Sequence, residues 1–182
     1  MARLLWLPSV LRAAGLAVVE EPNWESRGHG DMGTVQGVLL HHTAGPLKGD
    51  SPSLKIVIEG RPDLAGPLSQ LFLARSGAWH ICAAGKAWHA GAGAWQGVTD
   101  GNGRLIGVEA ENTGLQNDPW PPLQLDSYAA GVAAILAHIK APAIMAVGHK
   151  EYALPPGRKS DPSFDMGKFR QRVAARLAGP MV

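Results

Sequence analysis

Cysteine is nearly missing. Its single copy, Cys82, excludes an intrachain disulfide and any zinc site built from several thiolates. An excess of one charge is missing too: 17 Lys+Arg against 15 Asp+Glu leave a formal +2, no strong field for nucleic acid or an anionic lipid surface. No apolar run approaches the roughly 18 residues that span a bilayer. The N-terminus comes nearest, but Pro8 and Arg12 interrupt its apolar stretch and Glu20 and Glu21 end it. It reads as a short helix rather than a secretory signal, so the chain is expected to stay cytoplasmic until released. Neither nucleic acid nor membrane is expected as a partner. Internal repeats and linkers are absent, so residues 1–182 read as one domain, expected to be a monomer, long enough to bury a core without disulfides.

Glycine and proline, by contrast, are abundant. Together they number 23 + 14 = 37 of 182 residues and are spread along the chain, which implies many turns rather than a disordered tail. The pattern between the turns alternates strands with helices. A first helix carries Pro8 in its opening turn and closes at Gly15, before a short strand over 17–20. An apolar run, Val35–His41, reads as a buried strand. Ser51-Pro52 opens a helix that Gly60 stops, and strands over 69–73 and 78–82 follow, joined by a turn at Ser76-Gly77. Residues 85–104 read as loop. The alternation of Leu105–Glu111 predicts a strand with Gly107, Glu109 and Glu111 on one face. The stripe Tyr128, Val132, Ile135, Leu136, Ile139 predicts a helix over 126–140 capped by Asp126. A strand over 144–147, a Pro/Gly loop and a last helix capped by Asp165 complete an α/β pattern, a single central sheet covered by helices.

Seven histidines and six tryptophans are the unusual entries. His41 and His42 end the first buried strand, and neighbours on a strand face opposite ways, so one of them serves a given site. His149 follows another apolar strand, in a loop that runs on to Lys159 and Asp161. Two His and one carboxylate form a ligand set for catalytic zinc with a fourth position left for water or substrate. Glu109 and Glu111 are candidate general bases beside such a metal, or a solvated strand face. Lys159 is a candidate for holding an oxyanion.

The segments VLLHHTAGP, WHICAAGKAWHAG, IGVEAEN and VGHKEYALPPGRKSDPS, in that order, resemble the zinc-dependent N-acetylmuramoyl-L-alanine amidases of type 2. These are related to phage lysozyme-type amidases and peptidoglycan recognition proteins. The resemblance covers about residues 35–177 and leaves 1–34 as an N-terminal helix/strand extension. It implies a central mixed sheet with helices on both sides and a groove across one sheet edge. It also implies a Zn2+ cofactor held by His41, His149 and Asp161, with Glu109 as base and Lys159 on the oxyanion. His89 matches a substrate-side histidine. Trp79 stands where another branch of the family has a tyrosine, which moves the weight to Glu109. Trp79, Trp88 and Trp95 are candidate stacking walls for sugar or peptide, with core filling as the alternative. The segment between HICAAG and WHAG is shorter than the family's, and the step from His149 to Asp161 slightly longer.

The implied reaction is hydrolysis of the amide between N-acetylmuramic acid and L-alanine in peptidoglycan, in the setting of a phage or prophage endolysin. The alternatives are a cytoplasmic muropeptide-recycling amidase and a non-catalytic peptidoglycan-binding module; modules of that kind typically lose a zinc ligand.

Overall fold

A computed structural model describes residues 2–179. In chain order the elements are α1 (Leu7–Ala13), β1 (Val18–Glu20), β2 (Gly37–His42), α2 (Leu54–Glu59), β3 (Gly60–Arg61), β4 (Leu64–Ala65), β5 (Leu71–Leu73) and β6 (Trp79–Ile81). Then come α3 (Gly101–Arg104), β7 (Leu105–Ala110), α4 (Pro122–His138), β8 (Ala146–Gly148), α5 (His149–Tyr152) and α6 (Met166–Ala178). Six strands make one sheet in the order β1-β6-β5-β7-β2-β8, and β3-β4 form a separate small hairpin. All neighbours in the sheet are parallel except the β5-β6 hairpin, so the sheet is mixed.

Helices α1, α4 and α6 pack together against the sheet. On α4 the buried residues include Tyr128, Val132, Ile135 and Leu136 of the expected apolar stripe, while Ile139, its last member, caps the helix and is half-buried. The second helix, α2, joins a smaller cluster in which Val57 meets Phe72, Ala74 and Cys82. The middle strands are covered on both sides and accordingly read as near-continuous apolar runs: Val38, Leu39 and Leu40 on β2 and Leu105, Ile106 and Val108 on β7 are fully buried. The N-terminal segment belongs to the same body, since β1 extends the sheet beside β6 and α1 packs on α4. Among the described residues, no helix is long and apolar enough to cross a membrane.

Several boundaries differ from expectation. Helix α4 starts at Pro122 rather than beyond Asp126. Proline's fixed φ suits the first helical position, so the Pro121-Pro122 pair starts the helix. Asp126 lies inside it, near Arg172 and Arg176 on α6. Helix α2 starts at Leu54, and Ser53 makes no capping bond because its amide and hydroxyl are drawn to Glu111. The β3-β4 hairpin and the short helices α3 and α5 had no sequence signal, since two-residue strands and four-residue helices are below the length of any periodicity.

Parallel strands all finish at the same end of a sheet, where ligand sites of α/β folds gather. The register sets this row: His41 pairs with Glu109, and Leu40 with Gly148, so His149 follows directly beside His41.

Candidate active site

Three side chains meet at that end. Asp161 Oδ2 lies 2.9 Å from His41 Nδ1 and 3.0 Å from His149 Nδ1. The three ligand atoms all lie within 4.8 Å of one another. Each is held from behind. The His41 backbone N–H donates to the Tyr128 hydroxyl at 3.2 Å, and that hydroxyl also bonds the Val108 carbonyl at 3.0 Å. His149 opens α5. The Asp161 loop is tied back by the Lys150 N–H, which donates to the Asp161 carbonyl at 2.7 Å.

The protonation pattern tests whether this trio suits a cation. His149 Nε2 lies 2.9 Å from the Ala90 carbonyl oxygen. A carbonyl only accepts, so Nε2 carries the proton and Nδ1 presents a lone pair. That lone pair faces a carboxylate oxygen, also an acceptor, an arrangement that calls for a positive charge between them. His41 can be placed likewise: its Nε2 lies 3.3 Å from His89 Nδ1, and a proton on Nε2 frees Nδ1. Imidazoles whose far nitrogen is bonded in this way are the usual metal ligands. Ligand atoms about 2.0–2.2 Å from a tetrahedral zinc stand roughly 3.4 Å apart, so a small opening of the trio admits the ion. The donor set therefore fits Zn2+.

Electrostatics agree. Burial pushes His41 down to about 4, reinforced by His149 and Lys159 and opposed by Asp161, which keeps it neutral for ligation. His89 is pushed well below its ordinary value, first by burial and then by the neighbouring imidazoles. Burial works to raise Asp161, but its close contacts with the His149 and His41 rings outweigh it and hold the carboxyl far below the usual carboxylate range.

Glu109 is a half-buried carboxyl beside the trio. Its Oε1 lies 4.0 Å from His41 Nδ1, and its Oε2 has no partner among the described residues. Burial pushes it up to about 8, with the negative charges of Asp161 and Glu111 adding and Lys159 opposing. A carboxyl poised near neutrality in a cleft suits proton transfer. Glu111, on the same face by parity, is engaged elsewhere: its carboxylate accepts from Thr43 Oγ1 (2.8 Å), Ser53 N (2.9 Å) and Ser53 Oγ (3.0 Å). It ties the turn after β2 to the start of α2.

The cleft around the trio encloses about 630 Å³ and is lined by His41, His89, Glu109, His149, Lys159 and Asp161, among others. Lys159 is exposed at its mouth. His42 stands outside the trio although it too borders the cleft, and its Nδ1 accepts from Ser163 N at 3.2 Å. His89 lies over Gly107, where a Cβ would come within 2.7 Å of the ring, so the residue beneath must be glycine.

The tryptophans separate. Trp88 borders the cleft and is 37% exposed. Trp79 does not reach it. It is fully buried, donates from Nε1 to Ser127 Oγ at 2.9 Å and packs against Tyr128 and Gly131 on α4. Core filling, not a substrate wall, is its role. Trp95 also lies outside the cleft lining, with Nε1 donating to the Ile144 carbonyl and Arg170 stacked 5.6 Å over its ring.

Some supporting residues were missed. Asn102 Oδ1 accepts from the backbone N–H of both His89 and Ala90 at 2.9 Å, setting the histidine and the carbonyl that orients His149. Gln70 Oε1 accepts from Gly107 N at 2.7 Å. Arg61, Leu64 and Leu68 reach the cleft from the β3-β4 hairpin and its return. No spacing signal marks any of them, because each acts across long sequence separations.

A family model described as N-acetylmuramoyl-L-alanine amidase matches residues 31–164. The chain belongs to this family. This amidase-family chain is 27% identical over 181 residues to the N-acetylmuramoyl-L-alanine amidase AmiD of Escherichia coli (strain K12), covering 89% of itself and 64% of AmiD. It is 37% identical over 90 residues to the 1,6-anhydro-N-acetylmuramyl-L-alanine amidase AmpD of Citrobacter freundii, covering 48% of itself and 46% of AmpD. It thus spans less than two thirds of either relative.

Solved amidase structures share the fold. A selenomethionine AmpD derivative superposes with a TM-score of 0.64 at 24% identity, over 86% of this chain and 93% of that one. The catalytic domain of XlyA gives 0.63 at 17% identity, over 87% and 99%. AmiD from E. coli, in complex with its substrate anhydro-N-acetylmuramic acid-L-Ala-D-gamma-Glu-L-Lys, gives 0.62 at 23% identity, over 80% and 60%.

Proposed function

We propose that this chain hydrolyses the amide between N-acetylmuramic acid and L-alanine in peptidoglycan, with one zinc on His41, His149 and Asp161. The observation that carries the reading is the meeting of the buried trio with a half-buried Glu109 carboxyl, whose Oε2 is buried without a partner among the described residues, at the ends of β2, β7 and β8. A zinc ion held there would polarise the scissile carbonyl and lower the pKa of a water molecule to about 7. Glu109, 4.0 Å from His41, takes the proton of the attacking water and passes it to the leaving amine. Lys159, at the mouth of the cleft, supplies a positive charge to the oxyanion of the tetrahedral state. His89 orients His41 and borders the substrate. All three ligands of the metal set stand together, which disfavours a module that only binds.

The setting we propose is lysis of intact wall, as by an endolysin. A second reading, trimming of soluble muropeptides, is favoured by the likeness to AmpD, whose name specifies an anhydromuramyl substrate. Product analysis by mass spectrometry tests both. Purified sacculi and soluble anhydromuramyl peptide are digested with and without a chelator. Free L-alanyl peptide and intact glycan from sacculi, abolished by chelation, is the expected result. Cleavage of the soluble substrate alone overturns the wall-lytic setting, and cleavage of neither overturns the amidase.

A further inference from the structure

We propose that His29 is a positioning residue: it fixes Trp88 as a flat wall of the cleft, against which the muramyl-L-alanyl unit of the substrate lies. The proposal rests on the amidase reading and extends it to a residue outside the matched motifs. The rings of His29 and Trp88 are stacked, with centroids 4.5 Å apart and planes 16° from parallel. One indole face is therefore covered, while the residue stays 37% exposed and borders the cleft.

The backbone around this pair is fastened. His29 N donates to the Lys86 carbonyl and Lys86 N to the Gly30 carbonyl, both at 2.8 Å, and Gly85 N donates to Arg27 O at 3.0 Å. The two segments approach so closely that a Cβ on Gly28, which has φ +136°, would lie 2.6 Å from Gly85 Cα. On the Trp88 side, its N–H donates to the Pro67 carbonyl at 3.1 Å, next to the cleft residues Leu64 and Leu68. The indole is thus held by its own backbone and by a ring brought from the N-terminal segment.

The imidazole is a costly choice for that place. His29 Nε2 is buried with no hydrogen-bond partner among the described residues. An unsatisfied buried polar atom costs on the order of 1–3 kcal/mol, so the ring is not there to gain a hydrogen bond. What it gains is a flat contact with the indole. A wall preset in one rotamer binds a ligand without the entropy loss of ordering a free side chain. The wall is also well placed: the next residue, His89, lies 3.3 Å from His41 of the trio. Trp88 accordingly meets the groups directly beside the scissile amide, namely the muramyl ring and the alanyl methyl, whose apolar faces suit an indole.

The test uses the zinc-loaded full chain and N-acetylmuramyl-L-alanyl-D-isoglutamine, with hydrolysis followed by product formation and binding by calorimetry. His29→Ala is expected to raise KM and Kd roughly three- to tenfold, the worth of one aromatic contact, with kcat and bound zinc near wild type. His29→Phe, which restores a flat ring, is expected to return KM to within about twofold. In a Trp88→Ala background, His29→Ala should add nothing, whereas a merely structural residue would act alike in both backgrounds. Wild-type KM and Kd in His29→Ala, or effects additive with Trp88→Ala, overturn the proposal. If the wild type binds the dipeptide without cleaving it, the amidase reading fails and the Kd comparison still decides on His29.

Discussion

His149 Nε2 donates to the Ala90 carbonyl at 2.9 Å, and this single bond turns the other nitrogen of the ring into a lone pair aimed at Asp161. The Ala90 carbonyl is in turn set by Asn102, which takes up the Ala90 N–H. A residue of α3 with no titratable group of its own thus decides which nitrogen of His149 faces Asp161.

The first prediction follows from that chain. Wild type should hold one zinc per chain by elemental analysis, and His149→Ala and Asp161→Ala should lose most of it. Asn102→Ala removes no ligand but frees the segment that orients two histidines. Its zinc affinity should fall about 10- to 100-fold, the usual effect of losing an outer-shell partner. Full zinc in His149→Ala would rule out the ligand set.

A second prediction separates the two neighbouring glutamates. Glu109→Ala should retain zinc and fold but lose roughly 10²–10⁴-fold in rate, the worth of a general base. Glu111→Ala should instead destabilise the protein, on the order of 3 kcal/mol, because two hydroxyls and one buried amide lose their acceptor together. Turnover and thermal denaturation measured on both variants check the assignment. An active Glu109→Ala beside a folded, inactive Glu111→Ala would exchange the roles.

The placement of His41 and His149 was legible in the sequence because each ends or directly follows a short apolar strand, a signal that survives without knowledge of strand order, whereas Asp161 lies far along the loop beyond β8 and was singled out by the family resemblance. The alternation of β7 placed Glu109 on the side of Gly107, and the structure puts both around His89 and His41. Trp79 stayed open between stacking wall and core because nothing local says that α4 packs over its indole. Asp126 misled because a good capping residue lies four positions inside a helix whose true start is a proline. The contact of His29 with Trp88 and the support of His89 by Asn102 join distant segments, and no periodicity encodes such pairs.

Lys159 carries the third prediction. Its amine stands at the cleft mouth, close enough to act on the charges of both His41 and Glu109. A positive charge there stabilises a developing oxyanion more than the neutral carbonyl, so its loss should fall on kcat rather than KM. Lys159→Ala should retain zinc and lose about 10²–10³-fold in kcat. Lys159→Arg should not restore it, since a planar fork does not occupy a point-charge position. A fully active, fully metallated Lys159→Ala would remove the residue from the mechanism.

The last prediction concerns pH and the chelator-treated protein. Burial lifts Glu109 from an ordinary 4.5 to about 8 in the folded chain. The folded state therefore favours the protonated acid more than the unfolded state does. Its stabilising contribution is fully present below about pH 4.5 and is lost as pH rises through about 8. Glutamine imitates the neutral acid in shape and cannot ionise. Metal-free Glu109→Gln should then match metal-free wild type at pH 5 and become the more stable of the two by pH 9. Taking the difference between the two proteins cancels the titrations they share, including those of the surrounding histidines. Adding zinc should reduce the gap, because a cation beside the carboxyl favours its ionised form. Denaturation midpoints at pH 5, 7 and 9, with and without zinc, measure it. A difference that stays flat with pH in the metal-free pair would mean that Glu109 is ionised throughout, and its role as a base tuned by burial would have to be given up.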